Sequence, residues 1–176
     1  DGTAWATHPA FTWSDGTEDG TVELNGFWIG KFETTGSADE PTIKPNLMHM
    51  SSASGRIGDQ YDVAKSIGVE DEDNQYGNTQ STNMPNQNSH NLVVLSSHMA
   101  KNSEWGAVAY LSASSFGSGY DQVKLNLGTT TGAGPSGRTY NTRDGVRAST
   151  TGNETGVYDM AGGAWGYVMG SYSLYT

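Results

Sequence analysis

Apolar and polar positions near the start of the chain alternate at the period of a β-strand. Apolar or aromatic side chains occupy positions 5, 9, 11 and 13, close to the period of two of a half-buried strand. A run rich in Asp and Gly follows at residues 15–20, and these residues favour tight reversals. Residues 27–35 then alternate again, with Trp28 and Phe32 on one face. This region predicts a hairpin followed by the best strand in the sequence.

Two later segments have helical spacing instead. In the first, apolar residues recur at intervals of three or four, and Gly68 supplies a stop, which predicts a short amphipathic helix over residues 59–67. In the second, residues 103–112, the side chains of Trp105, Val108 and Ala109 fall on one face. The chain therefore predicts two short helices.

The remaining segments are mostly polar. Residues 36–56, 70–91 and 114–155 are rich in Ser, Thr, Asn and Gly, and only residues 122–127 within them alternate like a strand. We expect one α+β domain over residues 1–176, with two short helices packed on twisted antiparallel strands and most of the length in ordered loops.

Composition and charge narrow the classes of function. The chain has 176 residues with 24 Gly, 10% aromatic residues and a formal charge of −10. The aromatic side chains provide anchors for a packed core, whereas the acidity makes nucleic acid a poor partner. No apolar run reaches the roughly 18 residues of a membrane span, so no membrane insertion is expected. The absence of cysteine excludes disulfides and cysteine nucleophiles within this chain.

Three separated segments resemble the sulfatase-modifying-factor family, whose best-known member is the formylglycine-generating enzyme. Residues 26–35, GFWIGKFETT, are similar to the family's early strand, and residues 102–109, NSEWGAVA, to its Glu-Trp helix. Residues 156–165, GVYDMAGGAW, resemble the signature Gly-Leu-Tyr-Asp-Met-x-Gly-Asn-Val-Trp. The resemblance implies a formylglycine-generating-enzyme-like form of the C-type-lectin fold. More narrowly, residues 101–112 and 163–170 resemble uncharacterised surface or phage proteins of gut Firmicutes.

The chain also departs from that family. Active members use paired cysteines to bind copper and oxidise a substrate thiol, and this chain has none. Gly163 and Gly166 stand where the family has Asn and Glu, which removes polar groups at those positions. Relatives also continue beyond the position of Thr176, so we expect either that a C-terminal portion of the domain is absent here or that another chain completes the fold. The resemblance thus implies the fold without the oxidase chemistry.

The resemblance nominates eight residues as its fold signature: Trp28, Lys31, Glu33, Glu104, Trp105, Tyr158, Asp159 and Trp165. We expect the three Trp residues and Tyr158 to pack together in one core, since aromatic side chains supply most of the burial in so Gly-rich a chain. The positions of Glu104 and Asp159 within the resemblance imply helix-capping and loop-holding acceptors, and not an acid/base pair. No catalytic residue is predicted.

Metal ligation has two weak candidates, one of which is formed by Asp15, Thr17 and Asp19. The acidic run at residues 70–75 places oxygen ligands at alternate positions, as calcium loops do, with Asp71 and Asp73 as candidate ligands. Tyr76 stands where an EF-hand requires Gly, so a solvated charge run is the preferred interpretation. The four His residues, His8, His49, His90 and His98, show no metal-ligand spacing. No cofactor other than calcium is expected.

The resemblance to surface or phage proteins, together with the missing cysteines, implies a non-catalytic, extracellular recognition or display domain on a bacterial cell surface or virion. It would bind a cell-surface receptor, glycan or protein through its polar loops, whose composition is that of adaptable binding loops. The alternative is self-assembly as a structural subunit of a surface filament, a pilus or a phage capsid or tail decoration. A thiol oxidase, the third class, would need cysteines that the chain lacks.

Overall fold

Short regular elements separated by irregular backbone make up the fold. The computed structural model describes residues 7–14, 21–50, 56–67, 97–119, 122–134 and 139–170. Its strands are β1 (Thr12–Ser14), β2 (Thr21–Glu23), β3 (Thr35–Gly36) and β4 (Pro41–Thr42), and its α-helices are α1 (Ile57–Ser66) and α2 (Asn102–Tyr110). Three 3-10 helices lie at Pro9–Phe11, Leu111–Ala113 and Val146–Ala148. The predicted α+β class, with two short helices and antiparallel strands, is confirmed.

The predicted hairpin near the start of the chain is present. β1 pairs antiparallel with β2, and Trp13 stands opposite Val22 in the register. The predicted turn at residues 15–20 lies outside the described residues. A second antiparallel pair joins β3 to β4, with Thr35 opposite Thr42. The Thr35 hydroxyl lies 2.6 Å from the Thr42 hydroxyl, so a side-chain hydrogen bond supports the backbone pairing.

The prediction of a long strand over residues 27–35 is wrong, because only Thr35 at its end is in a strand. The backbone of this segment bonds singly to different partners. The Lys31 carbonyl accepts from the Tyr158 N–H at 2.8 Å, and the Thr34 carbonyl accepts from the Met50 N–H at 2.9 Å. A strand needs a ladder with one neighbour, and this segment instead ties two others together. Residues 122–127 likewise form a single bridge, at Asn126.

Both predicted helices are present, with small shifts of their bounds. α1 begins two residues before the predicted start and buries Val63. α2 continues into the 3-10 helix Leu111–Ala113 and buries Glu104 and Val108, which are one turn apart. Trp105 follows Glu104 by about 100° around the helix axis, and 38% of its surface is exposed. The face predicted to be buried is therefore rotated by about one residue.

Aromatic side chains from distant segments form the core. Phe32, Tyr158 and Ala148 are buried together, and the partly buried Tyr140 packs against them. The Phe32 and Tyr158 rings stack with centroids 5.3 Å apart, and the Tyr140 ring meets Phe32 edge-on at 5.1 Å. Lys31 Nζ lies 5.8–5.9 Å from all three ring centroids, close enough for cation–π attraction.

The prediction that Trp28, Trp105 and Trp165 share this core is wrong. Their exposed fractions are 95%, 38% and 83%, and of the four predicted core aromatics only Tyr158 is buried. Strand alternation placed Trp28 and Phe32 on the same face. Because no strand forms there, the even spacing between Trp28 and Phe32 does not place them on the same face. Phe32 turns inward at 8% exposure, whereas Trp28 lies in solvent.

Candidate functional site

Backbone hydrogen bonds bring the three motif segments of the sequence together. The Tyr158 N–H donates to the Lys31 carbonyl at 2.8 Å, which joins the last segment to the first. The Asn102 N–H donates to the Met169 carbonyl at 2.9 Å, and the Met169 N–H donates to the Ala100 carbonyl at 2.9 Å. These two bonds join the start of α2 to the chain after residue 165. The three segments therefore surround a common space.

That space is an open cleft of about 290 Å³. Glu33 contributes from the first segment, and Asn102 and Trp105 contribute from the beginning of α2. The last segment supplies the remaining wall with Asp159, Met160, Ala161, Gly162, Ala164, Gly166 and Val168. The lining thus combines two carboxylates, an amide, an indole and aliphatic groups.

Asp159 lines the cleft and anchors the loop that contains Asn126 and Gly132. It is 6% exposed and adopts φ +63°, which is uncommon for a residue other than glycine. Its carboxylate accepts from Asn126 Nδ2 at 2.8 Å and from the Gly132 N–H at 3.0 and 2.9 Å. Burial raises the pKa of Asp159, while these hydrogen bonds and nearby His49 oppose the rise. The predicted loop-holding role of Asp159 is confirmed.

Asn126 connects the loop at residues 122–134 to the same wall. Its N–H donates to the Ala161 carbonyl at 2.8 Å, and its carbonyl accepts from the Gly163 N–H at 2.8 Å. The side-chain amide also donates to the Thr130 carbonyl at 2.8 Å, and the amide oxygen accepts from the Gly128 N–H at 2.7 Å. Asn126 is 4% exposed, and its buried polar groups are all hydrogen-bonded within the protein.

Glu33 is paired with a buried histidine. His49 Nδ1 lies 2.7 Å from Glu33 Oε2, with exposed side-chain fractions of 1% for His49 and 26% for Glu33. Burial by itself lowers the pKa of His49. The hydrogen bond to Glu33, the charges of Glu33 and Asp159, and the backbone of Thr130 outweigh burial, so the pKa is raised above 6.5. His49 Nε2 is buried and has no hydrogen bond of good geometry with the described residues.

A double-glycine turn closes over the histidine ring. Gly162 and Gly163 have φ values of +80° and +75°, a conformation that glycine adopts readily. A Cβ on Gly163 would lie 2.7 Å from His49 Nε2, and one on Gly162 would lie 2.2 Å from the Asn126 carbonyl oxygen. Both close approaches therefore require glycine.

Helix α2 is anchored by a second acidic side chain. The Lys101 N–H donates to Glu104 Oε2 at 2.8 Å, and Lys101 Nζ lies 3.3 Å from Glu104 Oε1. His98 Nε2 lies 3.1 Å from both oxygens of Glu104. Glu104 is 4% exposed, so its role is to cap the helix, as predicted.

The residues nominated from the sequence separate into four groups. Glu33, Trp105 and Asp159 line the cleft. Lys31 and Tyr158 belong to the aromatic core, and Glu104 caps α2. Trp28 and Trp165 are exposed. The site also involves His49, Asn102 and Asn126, which sequence reasoning did not select. The contacts of His49 with Glu33 and of Asn126 with Asp159 span 16 and 33 residues, so no local spacing pattern marks these two residues.

The structure also bears on metal ligation and on membrane insertion. In the parts of the chain that the structure describes, no group of three or more His, Asp or Glu side chains is arranged to hold a metal ion. The candidate calcium ligands Asp71 and Asp73 lie outside those parts. Among the described helices, none is long and apolar enough to cross a membrane.

The described groups at the cleft can be compared with what covalent chemistry and binding each require. Nucleophilic catalysis requires a hydroxyl or thiol within hydrogen-bond reach of a base. Glu33 Oε2 lies 2.7 Å from His49 Nδ1, and among the described residues no hydroxyl hydrogen-bonds to Nε2. The available groups are a carboxylate oxygen, an amide and an aromatic face, which together can orient a bound group.

Comparisons of the chain with models of known protein families, with curated proteins and with solved structures found no match.

Proposed function

We propose that this chain is a non-catalytic recognition or display domain that acts outside a bacterial cell or on a virion. We further propose that it has the formylglycine-generating-enzyme-like form of the C-type-lectin fold. The observation that carries both proposals is the meeting of the three motif segments around one cleft. Segments more than 50 residues apart in the chain contribute to its lining, as expected if the motifs mark one site.

The cleft is a candidate binding surface in addition to the polar loops that the sequence suggested. Trp105 lines the cleft and is 38% exposed, and Trp165, between the lining residues Ala164 and Gly166, is 83% exposed. Exposed Trp side chains are enriched among the residues that contribute most to binding. We therefore place recognition of a receptor, glycan or protein at this cleft and the loops beside it.

The surroundings of the acidic side chains and of His49 also support binding. The carboxylates of Asp159 and Glu104 accept hydrogen bonds from backbone N–H groups, which is a structural role. The Glu33–His49 pair lacks a hydrogen-bonded nucleophile among the described residues. These observations favour recognition over catalysis within the cleft.

Binding can be tested with labelled protein on intact bacterial and host cells and on glycan and protein arrays. We expect Trp105→Ala and Trp165→Ala to weaken binding by about tenfold, the effect of removing a well-packed aromatic contact. Tyr110→Ala is the matched control, because Tyr110 is 80% exposed but does not line the cleft. Wild-type protein that binds no cell or array, or Trp variants that bind like the control, would contradict the proposal.

A second candidate, a structural subunit of a filament or virion decoration, is favoured by exposed aromatics outside the cleft. Trp28 is 95% exposed and Phe116 is 84% exposed, and such side chains contribute to subunit contacts. Sedimentation and electron microscopy of the pure protein would show regular assemblies that Trp28→Ser and Phe116→Ser dissolve. A monomer at all accessible concentrations would exclude this candidate.

A further inference from the structure

The cleft carries negative charge without a compensating cation in its lining. Its ionisable lining residues are Glu33 and Asp159, and no Lys, Arg or His is among the described residues that line it. Lys101, beside the cleft residue Asn102, is already engaged: its Nζ lies 3.3 Å from Glu104 Oε1 and donates to the Thr12 carbonyl at 3.2 Å. The whole chain has a charge of −10. A cationic ligand therefore matches the cleft and its surroundings.

The two acidic residues of the cleft differ in what they can offer. The Asp159 carboxylate accepts from Asn126 and Gly132 and is 6% exposed. Glu33 is bonded to His49 through Oε2 alone, and no described donor bonds to its Oε1. That oxygen borders the cleft, because it would lie 3.6 Å from a Cβ on the lining residue Gly166. Glu33 thus provides one charged acceptor to a ligand.

An aromatic face and an amide complete the set. Trp105 lines the same cleft with 38% of its surface exposed, and an indole face attracts cations. The side chain of Asn102, which is exposed at the start of α2, adds a neutral acceptor. At about 290 Å³ the cleft is at the lower limit for small-molecule sites, which span about 300–1,000 Å³. It fits a side-chain head group better than a larger molecule.

Resting on the proposed recognition function, we propose that the cleft binds a cationic side chain of a basic protein partner, an arginine guanidinium or a lysine ammonium. Trp105 supplies its aromatic face, Glu33 Oε1 its counter-charge and Asn102 a further acceptor. A neutral sugar could use the same aromatic face but would gain nothing from the charge. The charge on Glu33 therefore distinguishes the two ligand classes.

His49 adjusts this site with pH. Glu33 and Asp159 are the charged groups that act on its ring, with the Thr130 backbone and the Gly163 turn against its other side. When His49 is protonated, its charge offsets that of Glu33, and when it is neutral the carboxylate charge is uncompensated. The affinity for a cation should therefore increase as the pH rises through the titration of His49.

The probes are acetyl-arginine amide and acetyl-lysine amide, compared with the neutral isostere acetyl-citrulline amide by NMR titration of the Trp105 indole. We expect one or both cations to bind about threefold to fivefold more tightly than citrulline, the scale of a partly exposed ion pair or a cation–π contact. Binding should weaken with added salt. Glu33→Gln should reduce the preference and its pH dependence, because only the cation–π contact with Trp105 and the charge of Asp159 remain, whereas Glu40→Gln, which removes an exposed carboxylate outside the cleft, should preserve both.

The outcomes separate this inference from the proposed function. Equal binding of arginine, lysine and citrulline, or a preference unchanged in Glu33→Gln, overturns the inference. If a glycan binds with dependence on Trp105 while neither cation does, recognition stands and the cationic ligand is wrong. If neither cations nor any array ligand binds at Trp105, both proposals fail. NMR titration of His49 in the wild-type protein measures the protonation of its ring directly, without a variant that could fail to fold.

Discussion

Replacing Gly163 with alanine is expected to destabilise the protein through two separate effects. Gly163 has φ +75°, and an L-residue in the left-handed region costs about 1–2 kcal/mol. The added Cβ would also lie 2.7 Å from His49 Nε2 and 2.8 Å from Cε1. His49 is 1% exposed and tied to Glu33, so its ring has little room to move, and overpacking of this kind costs about 1–3 kcal/mol.

The combined loss is about 2–5 kcal/mol. For a chain of this size each kcal/mol lowers the Tm by about 2–4 °C, so calorimetry should show a fall of about 4–20 °C. Gly106→Ala is the matched control, because a Cβ there meets nothing within 4 Å, and alanine in the interior of α2 should stabilise by up to about 1 kcal/mol. A Gly163→Ala protein that melts within about 1 °C of wild type would refute the contact between the double-glycine turn and His49.

Two further predictions concern pH and packing. The pKa of His49 is raised in the folded state, so its stabilising contribution is complete below pH 6.5 and is lost as the pH rises through the folded pKa. Glu33→Gln removes the main cause of the rise and should flatten the pH profile of the free energy of unfolding measured in urea; an unchanged profile would exclude the pair as its source. Phe32→Ala should cost about 3–5 kcal/mol, whereas Trp28→Ala, at 95% exposure, should stay within about 0.5 kcal/mol. Equal losses would reverse our assignment of the core.

Local sequence patterns were sufficient to predict the two helices α1 and α2 and the first hairpin. The periodicity of α1 and α2 arises within one segment, and the capping interaction between Lys101 and Glu104 joins residues three positions apart. The Asp- and Gly-rich run after Trp13 likewise predicts a reversal from its own residues. Interactions of this range are encoded in the local sequence, so no knowledge of the rest of the chain was needed.

The burial of the aromatic residues could not be predicted in the same way. Trp28 and Phe32 have the same spacing as two residues on one strand face, but the segment bonds to Tyr158 on one side and Met50 on another. Which ring turns inward then depends on partners more than 100 residues away. The apolar character of Trp28 gives no information on that choice.

The candidate site likewise contains some residues that the local sequence indicates and others that only the fold brings together. The motif residues Glu33, Trp105 and Asp159 could be nominated from the sequence, and the structure brings them to one cleft. His49 and Asn126 could not, since their contacts with Glu33 and Asp159 span 16 and 33 residues. Neither residue belongs to a local motif, and only folding places its side chain beside a carboxylate.

The amino-acid sequence alone determined the α+β class, the two helices, the first hairpin and the absence of cysteine chemistry, because these follow from composition and from interactions within a few residues. The tertiary structure decided which aromatic rings are buried, which carboxylate borders the cleft and which histidine is paired with it. Those properties depend on long-range backbone bonds, such as that from Tyr158 to Lys31. Burial and charge pairing are set by the three-dimensional neighbours of a residue, which the order of residues along the chain does not show.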